Sequence, residues 1–185
     1  MAIALAVLAV FALIAGAIAL SNKGGTSKAD IETSKVMATS IINRGNALLA
    51  LAQRLAVDRS LNTMTLSATS VPGTSFGLYD PAIGMASDLQ IPGKAFAVTT
   101  SDVSFALDKT TYTVVGLGPG GSTVAAVAAI LPGLSLLTCQ FVNKTVFGDA
   151  LDVVPTTTTA SLTRNEGCIN VSASYTYYKV LGSAV

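Results

Sequence analysis

Residues 2–20 read AIALAVLAVFALIAGAIAL, with neither a charge nor a proline. A helix of about 20 residues spans roughly 30 Å of hydrocarbon. The run is therefore long enough to cross a membrane, or to bury its whole circumference among other apolar helices. A secretory signal peptide opens with basic residues and is cut away. No Lys or Arg precedes Lys23, so retention of the run is the expectation. Hydropathy alone serves a plain membrane anchor equally well. The frequent alanines and Gly16 favour close helix–helix approach, because small side chains let backbones near one another.

Moving outward, SNKGG follows at residues 21–25. Each glycine lowers helix propensity by about 1 kcal/mol relative to alanine, so Gly24 and Gly25 mark a weak point. Beyond them, 28–59 predicts an amphipathic helix with Ile31, Met37, Ile41, Leu48, Leu51 and Leu55 at mixed spacings of three and four. Its charges, which include Lys28, Asp30, Glu32, Lys35, Arg44 and Arg54, are read as a solvated face rather than as a site.

The whole chain of 185 residues fits one domain plus an appended element. With 51% hydrophobic and only 11% charged residues, it is too apolar for an ordinary soluble domain. Some of that surface must be sheltered by lipid or by neighbours. A formal net charge of +1 with no basic cluster gives no footprint for nucleic acid, whose phosphates need grouped cations. The sequence has no histidine, which removes the commonest general base and metal ligand together. The two cysteines, Cys139 and Cys168, are too distant for a redox pair and too few for a structural zinc site. A single disulfide is the simplest reading, which implies an oxidising compartment and a gain of about 3–4 kcal/mol from loop entropy.

After Ser60 the chain becomes rich in Thr, Ser, Gly and Pro around short β-branched and aromatic runs, the mark of strands and turns. Strands are expected over 95–99, 103–106, 111–115 and 170–180, the last as one strand alternating with period two. Helices are expected over 122–131 and 135–141, separated by Pro132-Gly133 and capped by Ser122 and Ser135. The PTTTT tract at 155–159 reads as a loop or an edge strand. Gly116, Gly118 and Gly121 formally match a dinucleotide fingerprint. The match lacks a downstream carboxylate for the ribose, and Pro119 denies the loop one amide, so the expectation is a glycine-rich turn. Asn143-Lys144-Thr145 and Asn170-Val171-Ser172 are glycosylation sequons in form only.

Taken together, the aliphatic run from residue 1, the weak zone at Gly24-Gly25 and the amphipathic continuation to Arg59 resemble the long first helix of a bacterial type IV pilin. The stretches FALDKTTYTVVGLGP and EGCINVSASYTYYK, flanking a helix that holds Cys139, are similar to the paired strands and disulfide-bounded region of the type IVb branch. That branch includes toxin-coregulated, bundle-forming and conjugative pili. The resemblance implies an α+β fold in which a long helix, residues 1–59, carries a globular head, residues 60–185. Residues 1–22 of the helix would form the apolar part and 23–59 the amphipathic part. The head would be an antiparallel sheet with a disulfide between Cys139 and Cys168.

The function implied is that of a non-enzymatic structural subunit of an extracellular filament, without cofactor or metal and with no small-molecule substrate. Its partners would be copies of itself, the inner membrane before assembly, and the pilus assembly machinery; specific nucleic acid is not among them. Ala2, Ile3, Leu5, Val7, Leu8, Val10, Phe11, Leu13, Ile14, Ile18 and Leu20 would pack the filament core, Gly24 and Gly25 would let the helix melt, and Met1 would be the processed, methylated terminus. Where the family carries a core glutamate, this chain has Leu5. A filament can still assemble, because a buried ion pair often gains little over well-packed apolar side chains. A minor or tip subunit and an archaeal-type pilin are alternatives within the same resemblance. A pseudopilin of a secretion system and a monomeric membrane-anchored binding module are others.

Overall fold

The computed structural model describes residues 27–57, 61–67, 70, 72, 74–83, 90–98, 101–115, 121–157 and 161–183. Met1, the packing residues of 2–20, Gly24, Gly25 and residues 116–120 lie outside them. In chain order the regular elements are helix α1 (Lys28–Ala56), strands β1 (Met64–Thr65), β2 (Phe76–Gly77), β3 (Ala106–Asp108), β4 (Thr113–Val114) and β5 (Val124–Leu134), and helix α2 (Leu136–Phe147). Strands β6 (Thr156–Thr157), β7 (Ser161–Leu162), β8 (Glu166–Val171) and β9 (Ser174–Ser183) follow. The expected α+β character holds: a helix packs on a largely antiparallel sheet, with a disulfide beside it.

The chain divides into two compact units, Met1–Thr33 and Ser34–Val185. In the first, α1 opens with a reciprocal cap. The Asp30 backbone N–H donates to Ser27 Oγ at 3.1 Å, while Ser27 donates its own N–H and hydroxyl to Asp30 Oδ2 at 3.2 and 2.7 Å. Two donors that a helix start leaves orphaned are thereby satisfied.

In the second unit, the buried residues of α1 are Ser34, Ala38, Ile41, Gly45, Leu48, Ala52 and Leu55, a strict alternation of four and three. They form two rows. Ile41, Leu48 and Leu55 supply apolar bulk, each about 1.5–3 kcal/mol when buried. Ala38, Gly45 and Ala52 are small and let the backbone approach its support closely.

That support is a seven-stranded sheet ordered β6-β8-β9-β5-β4-β7, with β3 also paired to β5. Both β3 and β4 run antiparallel to β5 along one margin. The turn joining them is held by Asp108, whose Oδ1 accepts from the Thr110 and Thr111 amides at 3.0 and 2.7 Å. β6 and β7 stand at opposite ends of the order, yet only three residues separate them in sequence. That stretch of chain reaches at most about 14 Å, so the sheet must curl until its margins nearly meet. Its concave side holds Tyr112, Val114, Ala126, Leu162, Ile169, Tyr178 and Val180, with Ile130 and Val171 packed against them.

Two expectations are overturned. Residues 122–131 are not a helix; 124–134 form the central strand β5. Sequence periodicity fails here because a strand buried on both faces reads as a continuous apolar run, as a buried helix does. Ala126, Val127, Ala128 and Ala129 are all fully buried, and alanine's helix preference yields to pairing with β3, β4 and β9. Pro132 does not separate two helices; it sits at a register shift between Leu131 and Leu134, where a residue without an N–H is tolerated. The segment 170–180 is not one strand either. β8 ends at Val171 and β9 begins at Ser174, so Ser172 and Ala173 form a two-residue hairpin turn with φ of +49° and +65°.

Asparagine and glycine suit such a turn, whereas other residues are strained at positive φ by about 1–2 kcal/mol each. The double substitution Ser172→Asn, Ala173→Gly is therefore expected to stabilise the protein by about 1–2 kcal/mol, read as a higher melting temperature. An unchanged or lower value would show that the turn carries no strain.

Shorter revisions concern 95–99 and 103–106. The first contributes a single bridge, Phe96 to Leu134, and the second a bridge from Val103 to Ile91 before strand β3. By contrast, α2 begins as expected. Ser135 is its N-cap, its Oγ accepting from the Thr138 amide at 3.2 Å. Gly148, with φ of +72°, closes it in the left-handed conformation that favours glycine. Thr156–Thr157 forms an edge strand, as the PTTTT tract allowed.

Candidate functional site

The convex face of the sheet is where α1 and α2 are fastened, and the fastening is polar as well as apolar. Tyr177 on β9 is fully buried and projects at Gly45 of α1. A Cβ added at Gly45 would overlap the Tyr177 hydroxyl and lie 3.0 Å from Cζ. Glycine inside a helix costs about 1 kcal/mol against alanine, and here it makes room for the tyrosine. The Tyr177 hydroxyl donates to Glu166 Oε1 at 2.7 Å. Lys179 Nζ donates to Glu166 Oε2 at 2.5 Å and to Asn46 Oδ1 of α1 at 2.7 Å. Both ion-pair side chains are nearly sealed, 10% and 12% exposed. Helix and sheet are thus joined by a Tyr–Glu–Lys–Asn chain of hydrogen bonds.

Gly45→Ala tests this contact. The substitution is favoured by helix propensity by about 1 kcal/mol, yet overpacking of this kind costs about 1–3 kcal/mol, so a net loss in denaturation free energy is expected. Adding Tyr177→Phe, which deletes the overlapped oxygen, should recover part of it. A more stable Gly45→Ala protein would contradict the packing.

The second fastening is at α2. Cys139 is bonded to Cys168 of β8, with Cα atoms 5.4 Å apart and both residues buried. One turn along α2, Asn143 is 1% exposed. Its Nδ2 donates to the Cys168 carbonyl at 2.9 Å and its Oδ1 accepts from the Cys168 amide at 2.8 Å. The side-chain amide stands where a neighbouring strand would be, since β6 pairs with β8 only at Asn170 and Val171. Asn143 is a structural residue, and its nitrogen is engaged and enclosed, so the sequon at 143–145 is unusable in the folded chain.

The tyrosines on this scaffold titrate high. Burial pushes the Tyr177 hydroxyl far above the ordinary tyrosine range, reinforced by the Glu166 carboxylate beside it and the hydrogen bond to it. Burial also pushes Tyr178 up to about 12, with Arg164 opposing and Glu166 adding to the shift. Tyr112 is raised by burial and then by Asp108. A raised folded pKa means that, above the unfolded value near 10, the unfolded state binds fewer protons than the folded one. Stability from these groups is fully present below about pH 10 and falls as pH rises beyond it. Spectrophotometric titration should show the phenolates of Tyr112 and Tyr178 appearing above pH 10 and that of Tyr177 only with unfolding; ionisation of these three near pH 10 in the folded protein would contradict their burial.

The outward face of α1 carries Val36, Thr39, Asn43, Ala47, Ala50 and Gln53, all exposed. Between Lys35 and Arg54 the only charge on the helix is Arg44. The expectation of a solvated charged face therefore fits the ends of the helix better than its middle. Met37 and Leu51, expected on the apolar side, are half-buried, while Gly45, Asn46, Glu166, Lys179 and Asn143 gave no sequence signal as a group. The row Ala38, Gly45, Ala52 at seven-residue intervals was the available clue.

Among the described residues no helix is long and apolar enough to cross a membrane. Among the same described residues, no cluster of three or more His, Cys, Asp or Glu side chains is gathered as a metal would need. No protein-family model, curated protein or solved structure matches the chain.

Proposed function

We propose that the protein is a structural subunit of a type IV pilus-like extracellular filament, held in the inner membrane before assembly and polymerised through its apolar N-terminal run. The observation that carries this reading is α1. It follows the uncharged run of 2–20 in the chain, one face is pinned to a disulfide-stapled sheet, and the opposite face is lined between Lys35 and Arg54 with short, mostly uncharged side chains. A helix held on one side only, with small residues on the other, is suited to close packing against like helices. The apolar run supplies adhesion between copies, and the polar fastening keeps each head rigid on its helix. Copies of the chain and the assembly machinery are its partners.

Mechanical shearing of cells tests the proposal. Fibres bearing this chain should enter the supernatant and bind an antibody raised against the head. Retention of all the protein in the membrane fraction, with no labelled fibre, would favour the monomeric anchored module instead.

A further inference from the structure

Where β6 stops pairing with β8, the curled sheet is open. The gap is a cavity of about 270 Å³ lined by Asn143, Phe147, Pro155, Leu162, Thr163, Arg164, Cys168, Ile169 and Tyr178. Leu162, Ile169 and Tyr178 belong to the concave core, so the cavity is the mouth of that core. Mouths of curled or closed sheets are favoured sites for small ligands. The volume equals about nine water molecules at ~30 Å³ each, the size of one substituted ring. Walls of Phe147, Pro155, Leu162 and Ile169 offer water few partners.

The rim is built. The Arg164 guanidinium lies 3.9 Å from the centre of the Phe147 ring, and its Nη1 contacts Asp149 Oδ2 at 3.0 Å. A stacked, ion-paired arginine is held in one orientation with donors to spare, since guanidinium has five N–H groups. Because Asp149 already balances its charge, a second carboxylate would meet repulsion, and a neutral oxygen acceptor fits better. An extended peptide is excluded, because Asn143 occupies the N–H and C=O of Cys168 that a new strand would need.

We propose that this cavity binds a small neutral compound with one ring-sized apolar body and one carbonyl or hydroxyl oxygen, the body against Leu162, Ile169 and Phe147 and the oxygen accepting from Arg164. This departs from the expectation of no small-molecule ligand and is independent of filament assembly.

The test is an NMR titration of the full chain in lipid nanodiscs with acetophenone, benzoate and ethylbenzene. Acetophenone should shift the methyl signals of Leu162 and Ile169 saturably, with Kd of roughly 1 mM. Benzoate should bind about tenfold more weakly because of Asp149, and ethylbenzene about fivefold more weakly for want of an acceptor. Arg164→Met, at an exposed position, should bring acetophenone down to the level of ethylbenzene. Non-saturating shifts for all three compounds, as lipid partitioning gives, would overturn the site, as would equal binding by Arg164→Met and the natural protein.

Discussion

Replacing Glu166 with leucine is expected to destabilise the protein by about 3–5 kcal/mol, the loss typical when one partner of a buried pair is removed. The cause is the charge left behind. Lys179 is 8% exposed, and without Glu166 its ammonium keeps, among the described residues, the amide oxygen of Asn46 alone. Removing both charges should behave differently. In Glu166→Leu, Lys179→Met no ion remains to be solvated, and apolar replacements of a buried pair are often neutral. The double variant should return most of the loss, leaving about 1 kcal/mol for the Tyr177 hydroxyl, which no longer has its acceptor. Thermal unfolding of the four proteins in mild detergent completes the cycle. Additive losses would show that the two side chains are not coupled, and that the helix is held on the sheet by apolar contact alone.

Asn143→Leu should be nearly as damaging, at about 2–5 kcal/mol, because it strands two buried backbone groups at Cys168, each worth about 1–3 kcal/mol. Leucine resembles asparagine in shape, so the loss isolates the hydrogen bonds from the packing. A second consequence concerns the sheet margin. With the amide gone, β8 presents an unpaired stretch beside Cys168, and unpaired edges recruit other strands. The variant is thus expected both to lose stability and to aggregate on warming. Hydrogen exchange at the Cys168 amide provides the direct check: protection should fall sharply in the variant, and unchanged protection would mean that Asn143 does not cap the strand.

The expectations that held are those that local chemistry controls. The helix over 28–56 is written in its three- and four-residue spacing, and Ser135 announces α2 by its capping hydroxyl. The pairing of Cys139 with Cys168 followed from there being no other cysteine. What failed depended on distant partners. STVAAVAAIL has the composition of a helix and becomes a central strand because β3, β4 and β9 pair with both its edges. The Ser172-Ala173 turn lacks the glycine or asparagine by which hairpins are usually spotted, so β8 and β9 read as one strand. The polar fastening was illegible for the same reason. Asn46 and Lys179 are 133 residues apart in sequence, and a lysine in a strand gives no sign that it will be buried. Apart from the row it shares with Ala38 and Ala52, nothing in the sequence marks Gly45, whose place is decided by Tyr177 packed against it from a distant strand.

These features have one result, helices held firmly on the sheet. The disulfide and Asn143 fix α2 to β8, the hydrogen-bonded chain fixes α1 to β8 and β9, and the sheet curls over its own apolar core. Force applied to such a helix would reach the sheet through several short-range contacts rather than through a loop.

The measurement that tests the proposed assembly most directly is a helical reconstruction of fibres sheared from the producing cells. The account predicts a core of bundled apolar segments, residues 2–20 of successive copies in mutual contact, with the disulfide-bonded heads arrayed outside. Fibres built from another protein, or a purified chain that stays a single copy once detergent and lipid are removed, would contradict it.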